Sequence, residues 1–364
     1  MRKFVPIFVI SSILFILSGR LNAEQLNAEQ PLYANVTKGH VFAFPADHGA
    51  HPEFRTEWWY VTGTLDTEDH KQLGFQVTFF RTRPPIEQSN KSAFSPKQII
   101  FAHVALSDPK IRQLLHDQRT ARSGFGLAEA RIDNADVQIK DWVFKSDGTN
   151  TFSANIASKD FGLDLTFNAS QPILLQGDNG YSQKSPDPAD ASYYYSIPQL
   201  FVSGHITQNG AAQKVTGKAW LDHEWSSNYL NTQAVGWDWT GLNFDNGSAL
   251  MAFRMRRSDG SSLWAGGTFR RADGSSIALT PEQISFHINQ AWTSPRTDAT
   301  YPVNQTLRIE LPEGIREFQL TPLFQDQELD GRTSGLPVYW EGAVTTPSGS
   351  GYLELTGYVD PLKM

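Results

Sequence analysis

Asp222, His223, Glu224 and Trp225 stand side by side, and Trp237, Asp238 and Trp239 follow shortly after. This is the densest polar cluster of the chain. A carboxyl group packed against aromatic walls loses its hydration, which raises its pKa and can keep it protonated near neutrality. A proton held that way is available for general-acid chemistry. His223 could complete an acid/base pair or orient a water molecule. The same residues equally suit an ion pair or turn cap at the rim of a barrel, with the Trp residues filling a core. Spacing does not choose between the two.

A second cluster runs through Asp47, His48, His51, Glu53, Arg55, Glu57, Trp58 and Trp59. Its histidines and acidic residues could bind a metal through imidazole and carboxylate. Gly49 and Pro52 put the histidines in a loop, however, and no further histidine pair accompanies them, so no metal is expected. The segment reads instead as a plug ahead of a strand, with Arg55 and Glu57 in hydrogen-bonded pairs near a barrel mouth. His103 alternates with apolar neighbours on a strand, as an interior histidine or a pocket-lining polar group would. Gly-x-Ser-x-Gly, His-Glu-x-x-His, the phosphate-binding Gly-Lys-Ser/Thr loop and the dinucleotide fingerprint are all missing from the sequence. Serine-hydrolase and metalloprotease mechanisms of those motif types are unsupported, although a convergent triad has no sequence signature.

Strands must position these groups. From Val41 onward, short runs rich in Val, Ile, Phe, Tyr, Trp and Thr alternate with turn signals, and helical periodicity is scarce. Strands are predicted at 59–65, 73–81, 99–106, 137–144, 163–168, 201–207, 250–256 and 352–358. Asp147-Gly148, Asn209-Gly210, Asn246-Gly247, Asp259-Gly260 and Asp273-Gly274 are hairpin signals. Polar, Pro-rich stretches at 83–96, 177–192 and 292–304 are longer than hairpin turns and are candidate lids. A weak repeat recurs in both halves. Trp59 to Gly63, Phe79 to Arg83 and Val215 to Gly217 are answered by Trp237 to Gly241, Ala252 to Arg256 and Leu355 to Gly357. Two similar barrels would place 219–229 at their junction, a favoured site for a ligand pocket.

Composition narrows the class. The chain has 364 residues, no cysteine and 12% aromatic residues, enough apolar surface to fold without disulfide staples. Arg2 and Lys3 precede an apolar run from Phe4 to Leu17 and a small residue at Ala23, the pattern of a secretory signal. A tandem Leu-Asn-Ala-Glu-Gln at 21–25 and 26–30 makes Ala28 the other cleavage point. Removing residues 1–23 takes away Arg2, Lys3 and Arg20 and moves the charge from −7 to −10, which repels nucleic-acid phosphates. The first apolar run is shorter than the ~20 residues a spanning helix needs, so no membrane span is expected after cleavage. Periplasmic or secreted localisation follows as an expectation.

The run from Phe44 through Asp47, His48, His51, Arg55 and Glu57 to Tyr60 resembles the opening of the AttH-like proteins, often called predicted secreted hydrolases and related to carotenoid 1,2-hydratase. Tyr193 to Ser196 and Gly217 to Trp225 are similar to further motifs of that family. The resemblance implies an all-β fold: two tandem lipocalin-like (calycin) barrels after the signal peptide. Residues 1–23 would be the signal, 24–40 a leader, 41–222 the N-terminal barrel and 223–364 the C-terminal one. It also implies a lipid or isoprenoid ligand near the junction and no cofactor. For the hydratase branch it implies a His-x-Trp pair with a nearby Asp, which His223, Trp225 and Asp238 match, with Asp222 as the other candidate acid. Where the hydratase pattern has an aromatic residue two positions before the acid, this chain has Gly236. Trp225, Trp237, Trp239, Trp58, Trp59, His103 and Tyr194 are the expected ligand-binding residues, with His51, Arg55 and Glu57 in a loop nearby. A protonated Asp238 or Asp222 would donate to a double bond, indole faces would hold the cation, and water oriented by His223 would attack. Two other readings stay open: a non-catalytic lipid carrier, and hydrolysis of a lipid ester by water activated at His223.

Overall fold

The computed structural model describes residues 33–363, apart from 87, 88, 93 and 333–335. The expected signal peptide and most of the leader lie outside the described residues. The first sheet contains β1 (Thr56–Thr67), β2 (Gln72–Thr82), β3 (Ile99–Ser107), β4 (Leu115–Arg122), β5 (Ala128–Ala130), β6 (Asp136–Ile139) and β7 (Trp142–Ser146). It continues with β8 (Thr151–Ala157), β9 (Phe161–Asn168), β10 (Leu174–Leu175), β11 (Tyr181–Gln183), β12 (Ala191–Gln208) and β13 (Ala211–Asn228). Its spatial order is β4-β3-β2-β1-β13-β12-β9-β8-β7-β6-β5, with β10 and β11 paired to β12.

Alternation explains why it curls. On β8 and β9 the residues Phe152, Ala154, Ile156, Phe161, Leu163, Leu165 and Phe167 point to one side and are buried, while their neighbours face solvent. Burying each large apolar side chain contributes about 1.5–3 kcal/mol, which favours wrapping the sheet around them. Its two ends come face to face. Arg119 of β4 reaches the carbonyls of Ile139 and Ala157, at 3.5 and 3.2 Å, and its guanidinium lies over the Trp142 ring. The end strands share no ladder, so the barrel is nearly closed.

The second sheet contains β14 (Gly236–Phe244), β15 (Ala249–Arg256), β16 (Ser262–Arg270), β17 (Ser276–Leu279), β18 (Ile284–Thr293), β19 (Thr300–Leu311), β20 (Gly314–Pro322), β21 (Glu328–Asp330), β22 (Val338–Thr346) and β23 (Gly349–Leu355). Its order is β17-β16-β15-β14-β23-β22-β20-β19-β18, with β21 on β22. The two sheets divide between Asn228 and Gly236, and residues 222 and 223 sit together in mid-β13. Each sheet has its own apolar core, and a third cluster built on Tyr60, Tyr194, Trp220, Trp239, Met251 and Phe253 lies between them. Gly241 permits this contact. A Cβ there would stand 2.7 Å from the Trp239 ring and 3.0 Å from that of Trp220.

The five hairpin signals all fall between strands, and Asn209 and Gly210 both have positive φ (51° and 76°), as a two-residue hairpin turn requires. Two expectations change. The 137–144 run is a hairpin, β6 and β7, turning at Lys140 with φ 54°. The 292–304 stretch is largely strand, the meeting of β18 and β19, rather than a lid. The repeat words sit on strands at equivalent places: β2, β1 and β13 neighbour one another as β15, β14 and β23 do. Their registers slip, however, since Gly63 lies opposite Ala219 whereas Gly241 lies opposite Tyr352.

Candidate functional site

Successive side chains on a strand point to opposite faces. On β13, Asp222 and Glu224 therefore look toward the second sheet, while His223 and Trp225 look into the first barrel. β14 divides its residues the same way: Trp237 and Trp239 line the junction, and Asp238 turns to the other face. The expected convergence of Asp222, His223 and Asp238 does not occur. Alternation sends the three groups to three compartments.

The junction compartment is a cavity of about 300 Å³. Trp58, Tyr60, Tyr194, Tyr229, Trp237 and Trp239 wall it, with Phe80 and Phe101 stacked at 4.6 Å on the β2–β3 side. Asp222, Glu224, Glu341 and Glu354 project into it from β13, β22 and β23. Burial pushes the Asp222 carboxyl up to about 7, against hydrogen bonds from Ser196, Tyr194 and Trp220 that favour its anion. Burial likewise lifts Glu354 to about 8 and carries Glu341 well above the usual carboxylate range, helped there by the charge of Glu354. Glu224 is raised by burial but opposed by Lys184, whose Nζ lies 2.7 Å away. Lys184 itself is fully buried over the rings of Phe253 and Tyr194, at 4.3 and 4.9 Å. His103 completes the wall: burial drives it down to about 3, so the imidazole is neutral, and its Nδ1 lies 2.6 Å from the Tyr339 hydroxyl.

The first barrel holds a separate ion cluster. The buried Glu57 carboxylate accepts from Arg81 Nε at 2.7 Å and from the His51 backbone at 2.9 Å, and it contacts His51 Nδ1 at 2.7 Å and His223 Nε2 at 2.9 Å. Burial would raise Glu57, but the Arg81 and His51 charges hold it well below the usual range. Burial works against a charged His51, yet the Glu57 and Asp47 carboxylates prevail and lift it to about 9. His51 also stacks flat on Trp225, ring centroids 3.7 Å apart. From His223 the chain of contacts runs to Tyr195 and on to His48, at 3.1 and 2.6 Å. Ligand atoms of His51, Glu57 and His223 lie within 4.8 Å of one another. As arranged, Glu57 is already engaged by a guanidinium and His51 carries its own proton, which suits a salt cluster better than a cation site. Asp238 is anchored elsewhere, by Arg254 at 2.7 Å, Arg256 at 2.8 Å and the Tyr358 hydroxyl at 2.9 Å.

The profile of the AttH-like family matches residues 35–358. The chain belongs to the AttH-like family. Among solved structures, one from Nitrosomonas europaea assigned as AttH is 50% identical, covers 90% of this chain and 100% of its own, and superposes with a TM-score of 0.83. Kievitone hydratase from Nectria haematococca is 16% identical, with 91% and 98% covered and a TM-score of 0.65. CghA with Sch210972 is 12% identical, with 83% and 89% covered and a TM-score of 0.51. These last two show the fold alone. No curated protein matches the chain.

Within this AttH-like chain, Trp58, Trp237, Trp239, Tyr194, His103 and Asp222 share the junction cavity. Trp59, Trp225 and His223 belong to the first barrel, where they pack with His51 and Glu57. Arg55 does not pair with Glu57 as expected. It is exposed, and Arg81, opposite Glu57 across the β1–β2 ladder, takes that place. Sequence reasoning missed Glu341, Glu354, Tyr339, Gln76 and Lys184. A signal existed for two of them: Glu341 and Glu354 are single carboxylates inside otherwise apolar strands, Val338–Thr346 and Gly349–Leu355. A buried charge is costly there unless it has a task.

Proposed function

We propose that this chain is a cofactor-independent lyase of the hydratase type, adding water across a carbon–carbon double bond of a small apolar guest held between the sheets. One observation carries the reading: Asp222 retains a proton near neutrality inside an aromatic-walled cavity. A catalytic acid works best when its pKa lies near the operating pH. Glu224 stands two residues along the same face of β13, about 7 Å away by strand rise, which leaves room for a water between them. In the step, the Asp222 carboxyl gives its proton to one alkene carbon and leaves a cation on the other. The faces of Trp239 and Tyr60 stabilise that cation, by about 1–2 kcal/mol once desolvated. Water attacks and gives its proton to Glu224, whose carboxylate form Lys184 favours against its burial. The proton taken up by Glu224 then passes through solvent to Asp222, which restores both groups.

A hydratase among the structural neighbours supports this assignment. On the same reading the second sheet is a second lipocalin-like barrel, and the protein is exported after removal of residues 1–23. Among the described residues no helix is long and apolar enough to cross a membrane. Asp238, clamped by two guanidiniums, is an anchor rather than the acid. Ester hydrolysis through His223 would need the ester carbonyl inside the first barrel, where His223 is sealed.

The test is incubation of the purified protein with trisubstituted alkenes in heavy-oxygen water, read by mass spectrometry. The expected product carries one heavy oxygen, and Asp222→Asn abolishes it. An unmodified guest retained through purification, with no turnover of any alkene offered, establishes the carrier reading instead.

A further inference from the structure

One end of the junction cavity is unlike the rest. Away from the indoles, residues that line it carry buried polar atoms without a well-formed hydrogen bond: both carboxyl oxygens of Glu341, Nε2 of His103, Oε1 of Gln76 and the Tyr60 hydroxyl. All four residues are nine-tenths buried or more. The phenols of Tyr60 and Tyr339 lie near enough to influence the Glu341 carboxyl, yet neither is aligned to satisfy it. A buried polar group left unmatched costs about 1–3 kcal/mol, so a cluster of them marks a place where a polar partner binds.

The chemistry of that partner follows from the donors and acceptors. The Gln76 amide nitrogen donates to the Tyr339 oxygen at 3.3 Å, which leaves the Tyr339 proton for His103 Nδ1. A neutral His103 accepting at Nδ1 carries its proton on Nε2 and presents a donor to the cavity. Gln76 Oε1 presents an acceptor, and a protonated Glu341 presents one of each. Lys363 lines the cavity from outside these strands, and among the described residues the strands that build this end bring no cation to it: β2 brings Gln76, β3 brings His103, and β22 brings Tyr339 and Glu341. We propose that this end of the cavity holds a neutral hydroxyl-bearing group of the guest, a phenol or an enolised carbonyl, through Glu341, His103 and Gln76. The guest is then a two-ended molecule, and a plain hydrocarbon or a fatty-acid anion fits poorly. This inference rests on the junction cavity being the site proposed above, though not on its chemistry.

Binding distinguishes the two. An alkenyl phenol, the matching alkenylbenzene and oleate are titrated against the full chain, with indole fluorescence and calorimetry as readouts. The phenol is expected to bind at least about tenfold tighter than the alkenylbenzene and than oleate. Glu341→Leu and, separately, Gln76→Leu are expected to weaken the phenol by about tenfold while leaving the alkenylbenzene unchanged or tighter. Gln76→Leu keeps the comparison available should Glu341→Leu fail to fold. Equal binding of phenol and alkenylbenzene by the wild type overturns the proposal, because water then satisfies this end. Selectivity that survives both variants also overturns it. Selective phenol binding without turnover leaves this inference standing and removes the hydratase, whereas hydration of the alkenylbenzene with no phenol preference does the reverse.

Discussion

Replacing Asp222 by Asn removes the proton donor and, on the same physical grounds, makes the protein more stable above neutral pH. The carboxyl titrates at about 7 in the fold, against 3.8 for the free side chain. A carboxyl raised on folding leaves stability intact below the unfolded value and lowers it progressively as pH rises to the folded one. At about 1.4 kcal/mol per unit, the wild type loses about 4 kcal/mol across that window, and Asn, a neutral isostere, does not. Ser196 and Trp220 share one carboxylate oxygen and can still donate to the amide oxygen in its place, while Tyr194 can rotate its hydroxyl to accept from the new amide nitrogen, so the packing survives. The assay is urea unfolding of both proteins at pH 5, 6, 7 and 8. The stability difference should widen by about 2 kcal/mol between pH 5 and 7 and then level off. A constant difference across the series refutes the claim that Asp222 is held protonated, and with it the acid role.

The first barrel predicts a pH dependence of its own. His51, lifted to about 9 from 6.5, contributes stability that is complete below pH 6.5 and is lost as pH rises through 9. That amounts to about 3 kcal/mol, and unfolding measured from pH 6 to 10 should lose the slope in His51→Gln. Asp238→Asn leaves Arg254 and Arg256 facing each other without their anion, and urea unfolding should show a loss of about 3–5 kcal/mol. The pH limb that Asp222 gives to turnover should persist in that variant. Lys184→Met strands a buried carboxylate, so Glu224 titrates higher. Its base function should appear only at raised pH, seen as an alkaline shift of the rate profile.

Much of the frame is visible in the sequence, and the reasons are physical. β8, β9 and the hairpin at Asn209-Gly210 obey period-two burial and two-residue turn chemistry, which are local rules. The aromatic wall is legible as well, since Trp58, Trp237 and Trp239 stand out by type and neighbourhood. What fails is the assumption that neighbours in sequence meet in space. Period two, applied to Asp222-His223-Glu224-Trp225, forbids Asp222 and His223 from sharing a cavity once the segment is a strand. Arg81 as the partner of Glu57 needs the β1–β2 register, and Glu341 and Glu354 need the knowledge that β22 and β23 face β13's outer side. None of these is a local property.

The same alternation explains why the Asp-His-Glu-Trp run is one motif although its residues serve two compartments. Across β12, β13 and β1, Tyr195 lies opposite His223 and His223 opposite Trp59, all inward; Tyr194 lies opposite Glu224 and Glu224 opposite Trp58, all outward. The inward layer is locked by Glu57, Arg81 and the stacked His51. Because both layers hang on the same backbone, locking the inward side chains fixes the Cα positions from which Asp222 and Glu224 project. An acid and a base that must stay about 7 Å apart benefit from such a mount, since a site built on rigid strands holds its geometry better than one on loops. On the proposed reading the polar cluster in the first barrel needs no reaction of its own: it sets the strand that carries the carboxylates, and the proposed chemistry belongs to the opposite face.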